Sequence, residues 1–175
     1  MSTAPQSLAF RQHDHSACID TALTTARRIC EQRGARLTPL REQVLQLVWQ
    51  SHKPLGAYAI LEQLDGGITP PGARRRLAPP TVYRALEFLR EYGLIHRINS
   101  LNAFMGCQHP QARHQSFFLI CRQCESAVEL TSTPLAEAIS AAATAAQFTE
   151  EGASVEITGL CPNCQPELPA LGVSP

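Results

Sequence analysis

The chain has 175 residues, 44% of them hydrophobic, and a formal net charge of zero at pH 7, which allows one domain or two small domains with modest cores. No apolar run reaches the ~18 residues that cross a bilayer, and the N-terminus lacks the basic and apolar regions of a secretory signal. These features exclude a membrane or secreted protein, so we predict a cytoplasmic protein with no membrane partner.

The charges are unevenly distributed along the chain. Residues 1–98 contain 13 Lys and Arg against 8 Asp and Glu, whereas residues 99–175 contain 2 against 7. A basic front half and an acidic rear half favour contact between the front half and a polyanion. A chance asymmetry is the alternative interpretation.

The chain begins with two predicted helices. Residues 1–15 are polar and are predicted to be flexible. Apolar residues at helical spacing predict a first helix over 16–33, which Gly34 ends. Thr38 is predicted to cap the second helix, and Pro39 takes its first turn, where no N–H partner is needed.

Two further helices and a hairpin follow. We predict a short third helix over about 57–65, ended by Gly66-Gly67, and then a loop. Arg74, Arg75 and Arg76 in this loop either reach phosphates or form a solvated surface. The last predicted helix starts at Pro79-Pro80 and continues to about Tyr92. Strands near 94–98 and 102–106 complete a winged helix-turn-helix domain over 16–98, with the wing end and hinge at 99–106.

The last of these helices has the position and polarity of a DNA recognition helix. Its polar face includes Thr81, Tyr83 and Arg84, and Arg84 can pair with guanine or with a phosphate. Tyr83 can contact a thymine methyl or a phosphate, and Tyr58 can donate a hydrogen bond to the DNA backbone. The alternative for both tyrosines is a half-buried packing role.

The second domain is predicted to be a small α/β unit over 107–165, followed by a disordered tail at 166–175. Its patterns predict strands at 116–121 and 127–130, a helix from Thr133 to about Gln147, and a strand leading into the last cysteine pair. The fold class is therefore α+β. A core this thin needs a metal or a partner subunit.

Two Cys-x-x-Cys pairs give the strongest chemical signal. They are Cys121 with Cys124, and Cys161 with Cys164, separated by 36 residues. Each pair directs two thiolates to one ion, and together they predict a closed, tetrahedral structural zinc site. A pair of disulfides or a redox pair is the alternative.

A second set of ligands lies around the predicted hinge. His96 ends one wing strand, Cys107 follows the other, His114 comes in the next loop, and Glu129 follows the first cysteine pair. With Zn²⁺ this set of two imidazoles, one thiolate and one carboxylate is neutral, so we expect it to act through geometry by fixing the angle between the domains. His109 is an alternative ligand to His114.

These motifs together resemble the ferric uptake regulator family and, within it, the zinc uptake regulators. The resemblance covers about residues 20–165. The matching segments are RLTPLREQVLQLV (36–48), AYAILEQL (57–64), PPTVYRALEFLREYGLIHRI (79–98), FFLICRQC (117–124) and GLCPNC (159–164), with the residues at 107, 114 and 129.

The resemblance implies a homodimer that binds a palindromic, AT-rich, double-stranded operator when metal is bound. It places the structural zinc on the four paired cysteines and the regulatory zinc on His96, Cys107, His114 and Glu129, which makes two Zn²⁺ per subunit. It places DNA contacts at Tyr58, Thr81, Tyr83 and Arg84, and adds Arg36. Where many relatives carry a histidine-rich run, this chain has Arg113-His114-Gln115-Ser116, which argues against a third metal site.

We therefore predict a zinc-responsive transcriptional repressor of zinc uptake genes. A sensor of iron, nickel or peroxide from the same family is the first alternative, although the Cys107 thiolate favours zinc. A zinc buffer or chaperone is a different class, and it leaves the winged helix unexplained. No enzyme and no small-molecule substrate are predicted, because both sites have four protein ligands and no metallohydrolase motif occurs.

Overall fold

A computed structural model of the chain describes residue 10 and residues 14–68, 77–110 and 115–166. This part of the chain divides into two compact units, one within His13–Gln115 and one within Ser116–Pro175 that also includes Phe10. Within it, no helix is long and apolar enough to span a membrane. Four predictions concern residues outside the described part of the chain. These residues are most of the N-terminus predicted to be flexible, Arg74–Arg76, His114, and residues 167–175 of the predicted tail.

Four helices build the first unit, close to their predicted positions. They are α1 (Ser16–Gln32), α2 (Pro39–Trp49), α3 (Ala57–Ile68) and α4 (Pro79–Glu91). Helix α1 ends as predicted, because Gly34 adopts φ +63° and its N–H donates to the Glu31 carbonyl (3.1 Å). The Thr38 side chain caps α2 by accepting a hydrogen bond from Arg41 N–H (3.4 Å).

The predicted end of the third helix is wrong. Helix α3 continues through Gly66 and Gly67 to Ile68. A glycine costs a helix about 1 kcal/mol but ends it only where the backbone turns left-handed. Gly34 and Gly93 do this, with φ +63° and +68°.

The core of the first unit lies between its helices. Val82, Leu86 and Leu89 recur at helical spacing on α4, and all three are buried. They pack with side chains from the other three helices and from the chain that follows α4. Those partners include Ala26, Ile29, Val44, Leu45, Val48, Ile60, Leu64, Leu94 and Ile95.

A three-stranded sheet completes the first unit. Strands β2 (Ile95–Ile98) and β3 (Ala103–Gly106) form the predicted antiparallel hairpin. The two-residue strand β1 (Leu55–Gly56), which was not predicted, pairs with the other edge of β3. At the end of β3, a Cβ added to Gly106 would overlap the indole ring of Trp49 on α2. The close packing of α2 against β3 therefore requires glycine at position 106.

The second unit is a three-stranded sheet with one helix. Its elements are β4 (Ser116–Cys121), β5 (Ala127–Leu130), α5 (Thr133–Ala145) and β6 (Ser154–Gly159). The order in the sheet is β5-β4-β6, with β4 antiparallel to β5 and parallel to β6. Helix α5 makes the connection that a parallel pair requires. Its cap is Ser132, which accepts a hydrogen bond from Leu135 N–H (3.4 Å).

Candidate metal centres and nucleic-acid surface

The pairing of β4 with β6 brings the two cysteine pairs together. Cys121 is the last residue of β4 and lies opposite Gly159, the last residue of β6. Because parallel strands end at the same edge of a sheet, Cys161, two residues beyond β6, arrives beside Cys121. The 36 residues between the pairs contain β5, α5 and β6.

The four sulfur atoms have the spacing of a zinc site. One sulfur from each of the four paired cysteines lies within 4.8 Å of all the others. A tetrahedron with Zn–S bonds of about 2.3 Å has an edge of about 3.8 Å, and the Sγ atoms of Cys124 and Cys161 are 3.7 Å apart. All four thiols are free, and this separation is well beyond a disulfide bond of about 2.05 Å. The donor set therefore fits one Zn²⁺.

Backbone turns hold the two pairs in similar conformations. In the first turn, Glu125 N–H donates to the Cys121 carbonyl (2.9 Å), and in the second, Gln165 N–H donates to the Cys161 carbonyl (3.0 Å). Cys161 N–H donates to Cys121 Sγ (3.4 Å), which joins the two turns. Hydrogen bonds of this kind orient metal ligands before the ion binds.

The four thiols also differ in pKa. Hydrogen bonds from the backbone of Cys124 and then of Cys161 lower the pKa of Cys121 to about 6. The hydrogen bond with Cys161, together with burial, raises the pKa of Cys164 to about 12. Four thiols this close cannot all lose their protons without a cation to offset the charge. A divalent ion supplies that charge.

Two of the predicted hinge ligands lie together in the first unit. His96 is on β2, opposite Met105 of β3, and Cys107 directly follows β3. One ring nitrogen of His96 and Sγ of Cys107 lie within 4.8 Å of each other. Cys107 is 3% exposed, and its N–H donates to the Leu94 carbonyl (3.1 Å). The wing hairpin therefore presents an imidazole and a buried thiol side by side.

Glu129 belongs to the second unit. It lies on β5 opposite Phe118 and is 7% exposed. Among the described residues, it is the one buried side chain of a charged type. A buried carboxylate is costly unless a cation or hydrogen bonds compensate it, which fits a metal ligand. His114 is not among the described residues, and His109 is exposed.

The predicted DNA-contacting residues lie on the surface of the first unit. Tyr58 is 68% exposed, which does not fit a half-buried packing role, whereas Tyr83 is 43% exposed, which fits either interpretation. Both line a groove of about 210 Å³ that also includes Arg90 and Arg97. Three further predicted contacts, Thr81, Arg84 and Arg36, are exposed as well.

Two residues near these sites were not singled out from the sequence. The hydroxyl of Ser126 lies 3.4 Å from Cys124 Sγ and lowers the pKa of that thiol. The sequence signal that could have identified Ser126 is its position two residues after the first cysteine pair. Arg41 stacks on Phe88 of α4, and no sequence pattern distinguishes it from the exposed arginines.

The chain is similar in sequence to a known protein family and to characterised regulators. The model of the ferric uptake regulator family matches residues 32–158. The zinc uptake regulation protein of Escherichia coli (strain K12) is 34% identical over 143 residues, which cover 81% of this chain and 80% of that protein. The protein of the same name from Shigella flexneri gives the same values.

Solved structures agree with this result. A crystal structure of holo XcZur has a TM-score of 0.72 at 40% identity, covering 83% of this chain and 97% of that one. A zinc uptake regulator complexed with zinc and DNA has a TM-score of 0.75 at 33% identity, covering 83% and 94%. The predicted α+β fold class, a winged helix followed by a small α/β domain, is confirmed. From the family match and these similarities, we conclude that the chain belongs to the ferric uptake regulator family.

Proposed function

We propose that the protein is a zinc-responsive transcriptional repressor of zinc uptake genes, not an enzyme. The main observation behind this proposal is that one chain has both Tyr83 and Arg84 exposed on α4 and four thiols with the spacing of a zinc site. The similarity to a zinc uptake regulator complexed with zinc and DNA supports this function. Such a regulator acts in the cytoplasm, where its operator lies.

The four paired cysteines are proposed to hold a structural zinc. They supply a complete tetrahedral set, so the ion has no open position for a substrate or a reactive water. Thiolate ligands select zinc over hard cations. The role of this ion is to stabilise the second unit.

A second zinc per subunit is proposed to be the signal. Its ligands are His96 and Cys107 from the first unit, Glu129 from the second, and His114. The proximity of His96 to Cys107 and the burial of Glu129 support this assignment. Because the bound site is neutral, it works by restraining the two units and not by changing the net charge. The sequence predicts domains at 16–98 for DNA binding, 99–106 for the wing end and hinge, and 107–165 for metal binding and dimerisation, whereas the two compact units divide between Gln115 and Ser116, which places Cys107 in the first unit.

DNA binding is assigned to the exposed face of the first unit. Tyr83 and Arg84 contact base edges or phosphates from α4, and Thr81 contacts a phosphate near the start of that helix. Tyr58 and Arg36 add contacts to the DNA backbone. The partner is a palindromic, AT-rich duplex, because a two-fold symmetric dimer reads two inverted half-sites.

The second unit supports the proposed homodimer. No residue of α5 is buried, and β6 is an edge strand on which Ile157 is 43% exposed. A groove of about 480 Å³ on this unit is lined by Leu119, Val128, Leu130 and other apolar side chains. Apolar surface beside an unpaired strand edge is a common site of subunit association. Sedimentation of the purified protein tests this state.

The energy that the signal must supply is moderate. Changing an equilibrium from 1:99 to 99:1 requires the metal to favour the DNA-binding shape by about 5.5 kcal/mol. By linkage, operator DNA must tighten zinc binding by the same factor.

The test begins with a duplex selected from a random pool by the zinc-loaded protein. Protein stripped of exchangeable metal is then titrated with buffered zinc, iron and manganese in the presence of this duplex. We expect zinc to restore binding at the lowest free concentration. His96→Ala and Cys107→Ser should weaken the zinc response by about 100-fold or more, because loss of a ligand should cost at least as much as the roughly 10–100-fold loss caused by removing an outer-shell partner. His109→Ala is the matched control and should respond normally.

Four results would change this assignment. Failure of the zinc-loaded protein to enrich any duplex would remove the DNA-binding function. An equal response to iron would remove zinc as the signal. A normal response of both ligand variants would move the regulatory site elsewhere, and an effect of His109→Ala that is absent in His114→Ala would exchange those two residues.

A further inference from the structure

We propose that Arg41 is a positioning residue that sets the spacing between two DNA contacts, Arg36 and Arg84. This inference rests on the proposed DNA-binding function and deepens it. Arg41 does not itself reach the DNA. It ties the connector between α1 and α2 to the C-terminal part of α4.

The contacts of Arg41 join these two elements. Its guanidinium carbon lies 3.4 Å from the centroid of the Phe88 ring on α4. The Nη1 group donates a hydrogen bond to the carbonyl of Arg36 (2.5 Å). The backbone N–H of Arg41 donates to the Thr38 hydroxyl (3.4 Å). One side chain therefore holds the backbone that carries Arg36 against the face of α4.

The position of Phe88 makes this tie relevant to DNA. Phe88 lies four residues after Arg84, which places it one turn along the same helix. Arg36 and Arg84 are both exposed, whereas Arg41 is half-buried. The charge of Arg41 is directed into the stack and onto a carbonyl, and the charges of the other two are available to phosphates. Arg41 thus acts through Arg36.

A neighbouring arginine provides a matched control. The Phe88 ring stacks on Tyr92, with centroids 4.2 Å apart. Arg33 lies over the other ring of this pair, 5.4 Å from the Tyr92 centroid. Removing either guanidinium removes one positive charge and one cation–π contact from the same stack. The hydrogen bond to the Arg36 carbonyl belongs to Arg41.

The experiment is a double-mutant cycle read by salt dependence. The affinity of zinc-loaded protein for its selected duplex is measured over a range of salt concentrations. The variants are Arg36→Ala, Arg41→Met, the double variant and Arg33→Met. Loss of one phosphate contact lowers the slope of log affinity against log salt by about 0.9. Far-ultraviolet circular dichroism checks folding, and Arg41→Lys, which keeps a charge and a donor, replaces Arg41→Met if that variant unfolds.

We expect Arg41→Met to weaken binding by roughly tenfold, within the range of coupled neighbouring sites, and to lower the slope by about 0.9. In the Arg36→Ala background the same change should have less than about a twofold effect, because the contact that Arg41 positions is already lost. Arg33→Met should weaken binding by less than about twofold, and Arg41→Lys should restore part of the affinity.

The inference is overturned if the losses of Arg36→Ala and Arg41→Met multiply and the double variant loses about 1.8 in slope. That result would make Arg41 a direct phosphate contact. Equal losses of affinity in Arg33→Met and Arg41→Met would also overturn it, because they would show that removing either positive charge has the same effect. Both results require that the wild-type protein binds the duplex. If the wild type binds none, the proposed function itself fails.

Discussion

The two units of this chain are stabilised in different ways. The first unit packs four helices and a small sheet around buried side chains such as Val44, Leu86 and Leu89. In the second unit, Phe117 and Phe118 are fully buried on β4, but α5 buries no residue at all. The second unit instead brings four thiols to one point. We therefore expect apolar packing to be the main source of stability in the first unit, and the second unit to need the proposed metal ion and partner surface as well.

The difference between the units also separates their roles. The unit with the larger core carries the exposed tyrosines and arginines proposed to contact DNA. The unit proposed to depend on metal carries the cysteine cluster and the buried Glu129. Substitutions that affect one unit and leave the other intact test this separation.

The largest effect is expected from the cysteine cluster. Cys121→Ser removes one of four thiolates, and because structural zinc contributes about 10–16 kcal/mol of apparent binding energy in small domains, the second unit should unfold. The helices of the first unit should remain. Zinc content, circular dichroism and limited proteolysis measure these outcomes. Cys18→Ser, outside the cluster, is the control and should retain zinc.

A second unit that stays folded and resistant to protease in zinc-free Cys121→Ser protein would contradict this comparison. It would mean that the apolar side chains of β4 and β5 suffice for the sheet without metal.

The next effect tests the packing of the first unit. Leu86→Ala leaves a cavity where α4 meets the other helices and should lower the free energy of unfolding of this unit by about 2–5 kcal/mol. The cysteine cluster should keep its zinc. Leu101→Ala, in the exposed turn of the hairpin, should change stability by about 0.5 kcal/mol or less. Thermal unfolding with zinc analysis measures both, and loss of zinc together with the helices would show that the units unfold as one.

Two glycines at strand ends, one in each unit, allow the packing of the two units to be compared. A methyl group at Gly106 would meet the Trp49 ring, whereas one at Gly159 would meet nothing within 4 Å. Gly106→Ala should therefore cost about 1–3 kcal/mol, and Gly159→Ala should leave stability nearly unchanged. Trp49 is the single tryptophan of the chain, so its fluorescence should change in the first variant and not in the second. Equal stability of the two variants would show that β3 can move away from α2.

The smallest effect comes from matched helix caps. Thr38 and Ser132 each accept a hydrogen bond from the N–H three residues later, both at 3.4 Å. Thr38→Ala and Ser132→Ala should each cost about 1 kcal/mol. The first loss should appear in unfolding of the first unit, and the second in unfolding of the second unit. Hydrogen exchange resolves them, and the same protection pattern in both variants would argue against separate units.

Much of this architecture was predictable from local patterns. Helical spacing and the boundary residues Gly34, Thr38 and Pro79-Pro80 located the helices of the first unit within a few residues. The end of α3 was not predictable, since Gly66 and Gly67 act as stop signals only when the backbone turns left-handed. Strand β1 has two residues, too few to show a period.

The metal sites divide in the same way. The spacing of each cysteine pair indicated a turn that holds metal ligands. The sequence does not show that β4 and β6 are parallel, and it is this strand pairing that brings the two cysteine pairs together. The hinge ligands came from residue types and from the family resemblance, and their joint role remains a proposal. The tie made by Arg41 depends on tertiary contacts that no window of sequence contains.

The parallel pairing of β4 and β6 has a consequence for the order of events during synthesis. Cys121 and Cys161 are 40 positions apart, so a growing chain exposes the first pair well before the second exists. The sheet gains β6 only after α5 has been made, whereas the four helices of the first unit are complete by Glu91. Domains generally fold as units, N-terminal first. We therefore expect the surface proposed to contact DNA to form before the proposed zinc site is complete, and the second unit to fold only after Cys161 and Cys164 have been synthesised.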